Sequence, residues 1–564
     1  MSSKDQTVAE FIAQFFADNS VPAVFQLSGG MIAFITDAID RNGSPRIINN
    51  RHEQGAGFAA EGVSRVLGIP GVAMGTSGPG ATNLITPIAS CFFDSVPTIF
   101  LTGQVRRDEL KKSARQRQNG FQELDICEVV KPITKRVWRV HEAEQISEIL
   151  EAAWFECQSG RPGPVLIDIP IDVQQELMPH KERQESRSGK DPESTVSKEL
   201  KDIFLKIKEL IESASNPLVL IGGGVRGSGV YAKVRDFLHE SQLPHVVSLM
   251  GIDGVDHQNE NFIGFIGSYG NRWANNALAK SDVLLVLGSR LDVRQTGADV
   301  NKFSGNKKII RVDIDTAELD GRIRADISVD CHLEQIIDYF LENKLDLNHS
   351  ELVEMAVATR KLNPQESEQK SELTLNPTIA VNAISEIFKD SNGYIVDVGQ
   401  HQMWAAQSLS LTPNQRFITS GGLGAMGFAL PAAIGACIGK SGRWVVIVGD
   451  GCLQLSSQEL QTISHYELPI TICVFNNSQH GMVAQFQEEN MDSRFVGTRA
   501  GYSNPNFRLL ANSYGIENYA IVKDLKDLEK LERICADFSS GPALIEVIIE
   551  NSAKALPKMS HKSE

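Results

Sequence analysis

The stretch "GDGCLQLSSQELQTISHYELPITICVFNN" (Gly449–Asn477) puts an acidic glycine turn before a helix-like segment and an apolar strand that ends in two amides. "RWVVIV" (Arg443–Val448), just before it, and "PITICVF" (Pro469–Phe475) are rich in β-branched residues and read as buried strands. Strand, glycine turn, helix and strand make a βαβ unit, whose strands run parallel with a right-handed crossover. Asp450 and the Asn476–Asn477 pair then fall at the carboxyl ends of parallel strands, where open α/β sheets bind ligands. One carboxylate and one amide oxygen are hard ligands suited to Mg²⁺, which keeps other positions for water and phosphate oxygens. The glycines let backbone N–H groups approach an anion. The stretch reads as a site for a magnesium diphosphate.

Outward from this unit the same grammar recurs. Two polar stretches, Met178–Leu200 and Arg360–Thr378, have the charge and Pro/Ser content of linkers. The blocks between them alternate short apolar strands with helical stretches: "TIFLTG" and "GPVLIDIP", then "PLVLIGGGV" and "VLLVLGSRLD", then "GYIVDVG" and "ALIEVII". The pattern predicts an α/β fold of three doubly wound parallel-sheet domains, over 1–180, 195–345 and 375–556.

Composition narrows the class. At 42% hydrophobic and 22% charged, the 564 residues suit large globular cores. A formal charge of −15 argues against general binding of nucleic acid or anionic membranes. The opening residues lack the basic and apolar regions of a signal peptide, and Phe11, Ile12, Phe15 and Phe16 are spaced as on an amphipathic helix. No apolar run has the length of a membrane span. Eight scattered cysteines without a CxxC pair suit reduced thiols in a cytoplasmic protein.

The first block carries "NNRHEQGAGFAAEGVSRVLGIPGVAMGTSGPGATN" (Asn49–Asn83). Taken alone, Glu53 is an acidic residue at a helix start, favoured there by the helix dipole. "TSGPGATN" alone is a tight turn. Together with GDG and NN at this spacing, "HEQGAG" resembles the thiamine diphosphate (ThDP) enzymes. With "TSGPGATNLITPIA", "SGRPGPVLIDIP", "GQHQMWAAQ", "GGLGAMGFALPAAIG" and "HGMVAQF", nearly the whole chain is similar to the acetohydroxyacid (acetolactate) synthase family.

That resemblance implies roles for particular positions. Asp450, Asn477 and the main-chain carbonyl of Gln479 would ligate Mg²⁺ on the diphosphate. Val398, Gly399, Gln400, His401, Gly451, Cys452, His480 and Gly481 would line the diphosphate end. Met426 would wedge the cofactor into a bent shape beside the Gly424 carbonyl, with Met482 and Val483 flanking the pocket. Glu53 would reach the aminopyrimidine of a neighbouring subunit's cofactor, implying a homodimer or homotetramer. A carboxylate in a dry cleft there promotes the tautomer whose amino nitrogen acts as a base. Gly29, Phe121 and Gln122 match positions at the family's active site.

In the middle block, Gly222, Gly223 and Gly224 alone are a poor dinucleotide signal. With Leu249, Met250, Gly288, Arg290, Asp292, Arg294 and Asp313, however, they resemble the family's segments for a structural FAD.

Three features depart from the family. Phe486 replaces the usual tryptophan of the acceptor pocket, and the loop at Gln26–Met31 reads "QLSGGM". "RRDELKKSARQRQN" (Arg106–Asn119), with six Lys/Arg against two Asp/Glu, is longer than expected and runs into Phe121. A basic run is commonly a solvated face. Its location instead suggests that Arg115 and Arg117 bind phosphate oxygens of the acceptor. The expected reaction is decarboxylation of pyruvate and transfer of the two-carbon unit to a carbonyl. "RQNGFQE" (Arg117–Glu123) resembles carbohydrate-branching thiamine enzymes of the yersiniose type, which implies a nucleotide-linked keto-deoxy sugar as the preferred acceptor. Acetolactate synthesis from pyruvate, or from pyruvate and 2-oxobutyrate, is the alternative, and pyruvate oxidation a further one.

Overall fold

The computed structural model describes residues 6–113, 115–179, 196–347, 350–369, 373–536, 538 and 540–558. Apolar runs form strands, amphipathic stretches form the helices between them, and neighbouring strands pair in parallel. The first sheet holds β1 (Ala23–Gln26), β2 (Arg46–Asn49), β3 (Gly71–Gly75), β4 (Thr98–Gln104), β5 (Arg136–Arg139) and β6 (Pro164–Pro170). The second holds β7 (Pro217–Ile221), β8 (His245–Val247), β9 (Phe262–Phe265), β10 (Val283–Leu287), β11 (Lys308–Asp313) and β12 (Ile327–Asp330). The third holds β13 (Gly393–Val396), β14 (Arg416–Thr419), β15 (Trp444–Gly449), β16 (Ile470–Asn476), β17 (Asn518–Val522) and β18 (Ala543–Ile548). The expected three doubly wound sheets are therefore present.

Strand order locates the ligand crevices. The outer sheets share one order, β2-β1-β3-β4-β6-β5 and β14-β13-β15-β16-β18-β17. The central sheet runs β9-β8-β7-β10-β11-β12, the 3-2-1-4-5-6 order of dinucleotide-binding folds. The order reverses between β1 and β3, between β7 and β10, and between β13 and β15. Ligands bind at the carboxyl ends of strands beside such reversals. Central strands such as β4 and β15 are buried along their whole length, which is why they read as unbroken apolar runs.

The outer domains meet through two helices of small residues, Glu53–Leu67 and Ala429–Gly439. A Cβ on Gly62 would lie 2.1 Å from the Ala432 carbonyl oxygen, and one on Gly435 only 1.7 Å from that of Ala59. The backbones themselves are in contact, so glycine is required at both positions. Phe58 and Phe428 meet edge to face beside the crossing, with ring centroids 5.3 Å apart.

Of the two polar stretches, most of the first, including limits 180 and 195, lies outside the described residues. The second carries more structure than a linker, with a 3₁₀ turn at Gln365–Glu368 and buried Gln365 and Gln369. Among the described residues no helix is long and apolar enough to cross a membrane. All eight cysteines are free thiols, and all but Cys535 are buried.

Gly435→Ala should lower the thermal midpoint by several degrees in scanning fluorimetry, because overpacking costs about 1–3 kcal/mol where the neighbour cannot move. Gly439→Ala, whose Cβ would meet the Leu67 side chain at 3.3 Å and the Val63 backbone at an ordinary 3.7 Å, should stay near wild type.

Candidate active site

Two cradles face the crevices of the outer sheets. In the C-terminal one, Asp397 follows β13 and Asp450 follows β15. Asp397 is buried and accepts hydrogen bonds from the backbone N–H groups of Val398 (2.8 Å), Gly427 (3.0 Å) and Ala429 (2.8 Å). One carboxylate thus fixes the turn after β13, the turn around Met426 and the start of the Ala429 helix. Burial pushes its pKa up, while those three donors oppose the rise.

The predicted diphosphate residues come together around it. A Cβ on Gly399 or Gly449 would lie 2.7 or 2.9 Å from the His401 ring, so these two glycines sandwich the imidazole. Burial holds His401 neutral, with its pKa down to about 3, and its Nε2 has no hydrogen-bond partner among the described residues. A buried ring nitrogen without a partner fits a phosphate oxygen. The Cys452 thiol lies 3.2 Å from the Val398 carbonyl, and Gly451 packs on His480. Gly424 has φ +70° beside Val398. Met426 packs on the core shared by the outer domains.

The candidate metal ligands are set by amide orientation. Asp450 is 2% exposed, and its Oδ2 accepts from Asn504 Nδ2 at 2.7 Å. Asn504 also donates to Asn476 Oδ1 at 2.8 Å. The backbone of Ala555 bonds both ends of the Gln485 amide, its N–H to Oε1 (2.9 Å) and its carbonyl to Nε2 (3.1 Å). Gln485 Oε1 also accepts from Gln400 Nε2 (3.1 Å), which turns Gln400 Oε1 toward Asn477 Nδ2 (3.0 Å). Asn477 is left with its Oδ1 for a cation. The Gln479 side chain is occupied by Arg499 and the Asn551 carbonyl, leaving its main-chain oxygen. Among the described residues no group of three or more His, Cys, Asp or Glu could hold a metal. One carboxylate with amide and carbonyl oxygens suits Mg²⁺, which completes its shell with water and phosphate.

The N-terminal cradle is the turn after β3. Glu53 opens its helix, is 5% exposed and accepts from Asn83 Nδ2 at 2.9 Å. A Cβ on Gly80 would lie 3.3 Å from Glu53 Oε1, one on Gly78 3.0 Å from Gln122 Cβ, and one on Gly29 2.4 Å from Thr76 Cβ. Gly29, Glu53 and Gln122 thus gather around Thr76–Gly80, while Phe121 is 81% exposed beside them. Among the described residues no hydrogen bond or ion pair joins Glu53 to Asp450 or Asn477. The cradles connect instead through Glu459 of the C-terminal domain, which accepts from Arg51 N–H and Asn50 Nδ2, both at 2.9 Å, next to Glu53.

The central crevice opens into a cavity of about 1170 Å³ bordered by all three domains. A Cβ on Gly222 would lie 2.1 Å from the Gly288 oxygen, so the turns after β7 and β10 cross in contact. Every residue assigned to FAD lines the cavity except Gly222, which lies behind it. Asp292 caps a short helix through Arg294 N–H (2.9 Å) and pairs with Arg290 at 3.6 Å. Size, strand order and cationic rim fit a dinucleotide.

Residues 6–129, 205–339 and 397–547 match, in order, the N-terminal TPP binding domain, central domain and C-terminal TPP binding domain of the thiamine pyrophosphate enzymes. The acetolactate synthase isozyme 1 large subunit of Escherichia coli (strain K12) is 35% identical over 98% of this chain and 95% of its own. The large subunit of acetolactate synthase from Cyanidium caldarium is 34% identical over the same shares. The chloroplastic acetolactate synthase of Arabidopsis thaliana is 36% identical over 97% of this chain and 82% of its own. This chain belongs to the acetolactate synthase branch of the thiamine pyrophosphate enzymes. It is accordingly a ThDP-dependent enzyme of the C–C bond-forming kind.

Within this thiamine enzyme, the long loop is less cationic than its sequence suggests. Arg107 pairs with Asp172, Glu142 and Glu176, and Arg106 with Asp108. Glu123 gathers the loop by accepting from the N–H groups of Lys111 and Asn119, both at 2.7 Å. Arg115 and Arg117 are exposed and make no ion pair among the described residues. Arg117 lines a cleft of about 400 Å³ that also holds Glu123, Asp125 and Glu128. Phe486 is 51% exposed, Val483 is similarly open, and Met482 is half-buried.

Asp397, Glu459, Gln485 and Asn504 were missed by the sequence reading. Only Asp397 carried a local signal, as an acid closing a buried strand in "YIVDVG". Gln485→Ala, which frees the Gln400 amide that orients Asn477, should raise the Mg²⁺ concentration for half-maximal ThDP retention by up to about 10-fold, the low end of the cost of losing a ligand's direct outer partner. Equilibrium dialysis of ThDP against Mg²⁺ measures it.

Proposed function

We propose that this chain decarboxylates pyruvate and transfers the two-carbon unit to a second 2-oxo acid, pyruvate or 2-oxobutyrate, as an acetolactate synthase does. The observation that carries this reading is similarity to acetolactate synthases along 97–98% of the chain. The nucleotide-sugar preference drawn from the loop has weaker support. Two of its six cations are paired, and acids share the cleft at Arg117. It stays as a second reading because Arg115 and Arg117 are exposed, make no ion pair among the described residues and shortly precede Phe121 in the chain.

When bound, ThDP supplies the electron sink for loss of CO₂ from a 2-oxo acid. In this reading Asp450, Asn477 and the Gln479 carbonyl hold Mg²⁺, while His401 and the glycine turns hold the diphosphate. Glu53 holds a proton at the pyrimidine ring nitrogen, in a site completed by a second copy of the chain. Met426 would support the cofactor from the shared core, Gln122 and Phe121 would border the substrate, and Phe486 would shape the acceptor pocket. FAD fills the central cavity as a structural group. The domain limits assigned are 1–180, 195–345 and 375–556.

Carbon NMR with 2-¹³C-pyruvate tests the acceptor, in parallel samples holding no acceptor, 2-oxobutyrate or a CDP-linked 4-keto-deoxy sugar. Acetolactate and its 2-oxobutyrate counterpart should dominate, and label entering a branched sugar first would overturn the proposal. Reversing Arg115 and Arg117 to Glu should leave acetolactate formation essentially unchanged. Loss of that activity would make the loop part of the 2-oxo acid reaction.

A further inference from the structure

One stretch of the central cavity's wall belongs to none of the segments assigned to the flavin. It is formed by Arg226, Tyr231 and Arg235 of the central domain, Arg416 of the C-terminal domain and the end of the Glu53 helix at Arg65–Gly68. Three guanidinium groups gather there around Asp253, two at its carboxylate and the third at its main-chain carbonyl. Arg416 Nε donates to Asp253 Oδ2 at 2.5 Å, and Arg226 Nε lies 3.3 Å from the same oxygen. Arg226 and Arg235 also donate to the Asp253 main-chain carbonyl, at 2.7 and 3.0 Å. Arg235 reaches the Pro413 carbonyl and Arg416 the Arg65 carbonyl. Arg226 stacks over the Tyr231 ring, 3.8 Å from its centroid, with Arg235 at 5.5 Å from the same ring.

The charges do not balance. The nearby carboxylates of Glu61 and Asp94 are engaged by a fourth cation, Arg65. Among the described residues Asp253 is the single carboxylate in contact with the cluster, and Asp256 acts on Arg235 only at longer range. The Arg226 side chain is 13% exposed, its Nε meets only the Asp253 carboxylate, and the buried Nε of Arg235 has no hydrogen-bond partner among the described residues. Burial, with Arg416 and Arg235 as neighbours, holds the Arg226 pKa below its usual value. Desolvated like charges are costly unless an anion meets them with hydrogen bonds. Guanidinium forks match phosphate oxygens in geometry as well as charge.

We propose that this three-domain junction binds a phosphate group, held by Arg226, Arg235 and Arg416, in addition to a flavin in the same cavity. The group belongs to inorganic phosphate or to a phosphorylated metabolite. Because its ligands come from two domains and its wall from a third, binding stabilises their arrangement. Arg416 begins β14, which leads to the Gly421–Gly424 segment beside the cofactor cradle, so occupancy there reaches the active site through one strand.

The test uses protein saturated with ThDP, Mg²⁺ and FAD, titrated calorimetrically with inorganic phosphate and, separately, with ADP, against acetate at equal ionic strength. One phosphate per chain should bind saturably with both cofactors retained. Affinity should fall about tenfold in Arg235→Gln, which removes a cation bonded only to carbonyls and so leaves Asp253 paired. ADP binding more tightly than phosphate at this junction assigns a phosphorylated metabolite, and equal or weaker binding assigns the free ion. No saturable phosphate binding to the wild type, undiminished binding in a folded Arg235→Gln, or release of FAD or ThDP in step with phosphate uptake would each overturn the proposal.

Discussion

Two helices whose backbones touch govern this molecule. At Gly62 and Gly435 a single added methyl group would collide with a carbonyl of the opposite helix. That contact fixes the N-terminal cradle against the C-terminal one, because Glu53 opens one helix and the Asp397-pinned turn opens the other. Glu459 reinforces the same joint from the side, placing a buried carboxylate at the backbone just before Glu53. Side-chain packing elsewhere can adjust by rotamer changes, but backbone against backbone cannot. The geometry of both cradles therefore inherits its precision from small residues that do no chemistry.

A second level of organisation is the reversal of strand order in each sheet. The two outer sheets share one topology and present paired turns at equivalent places, Gly29 with Thr76–Gly80 in one and Val398–His401 with Asp450 in the other. The central sheet has the dinucleotide order, and its crossing glycines open onto the cavity of about 1170 Å³. Three crevices are thus built on one principle, and the junction between them gathers the arginines of the three-domain contact.

Much of this was legible in the sequence because its signals are local. GDG and the paired asparagines mark strand ends within one βαβ unit, and the strands themselves are continuous apolar runs. The Glu53 helix and the glycine turns of the central block were equally local. What escaped depends on contacts between distant segments. Gln485 matters because Ala555, 70 residues on, orients it, and Glu459 matters because it meets Arg51, 408 residues earlier. The basic loop misled for a related reason. Its composition counted Arg106 and Arg107 as free, whereas acids near in space but far in sequence, Glu142, Asp172 and Glu176, neutralise Arg107.

The account rests on each chain supplying two half-sites that are completed by another copy. Co-expression of Glu53→Gln and Asp450→Asn chains with different tags, followed by purification of the mixed oligomer, tests this most directly. Both parents should be inactive, and the mixed dimer should recover about half the wild-type pyruvate-decarboxylating activity, since one of its two sites keeps both residues. A mixed oligomer as inactive as its parents would show that Glu53 and Asp450 act within a single chain, and would contradict the account.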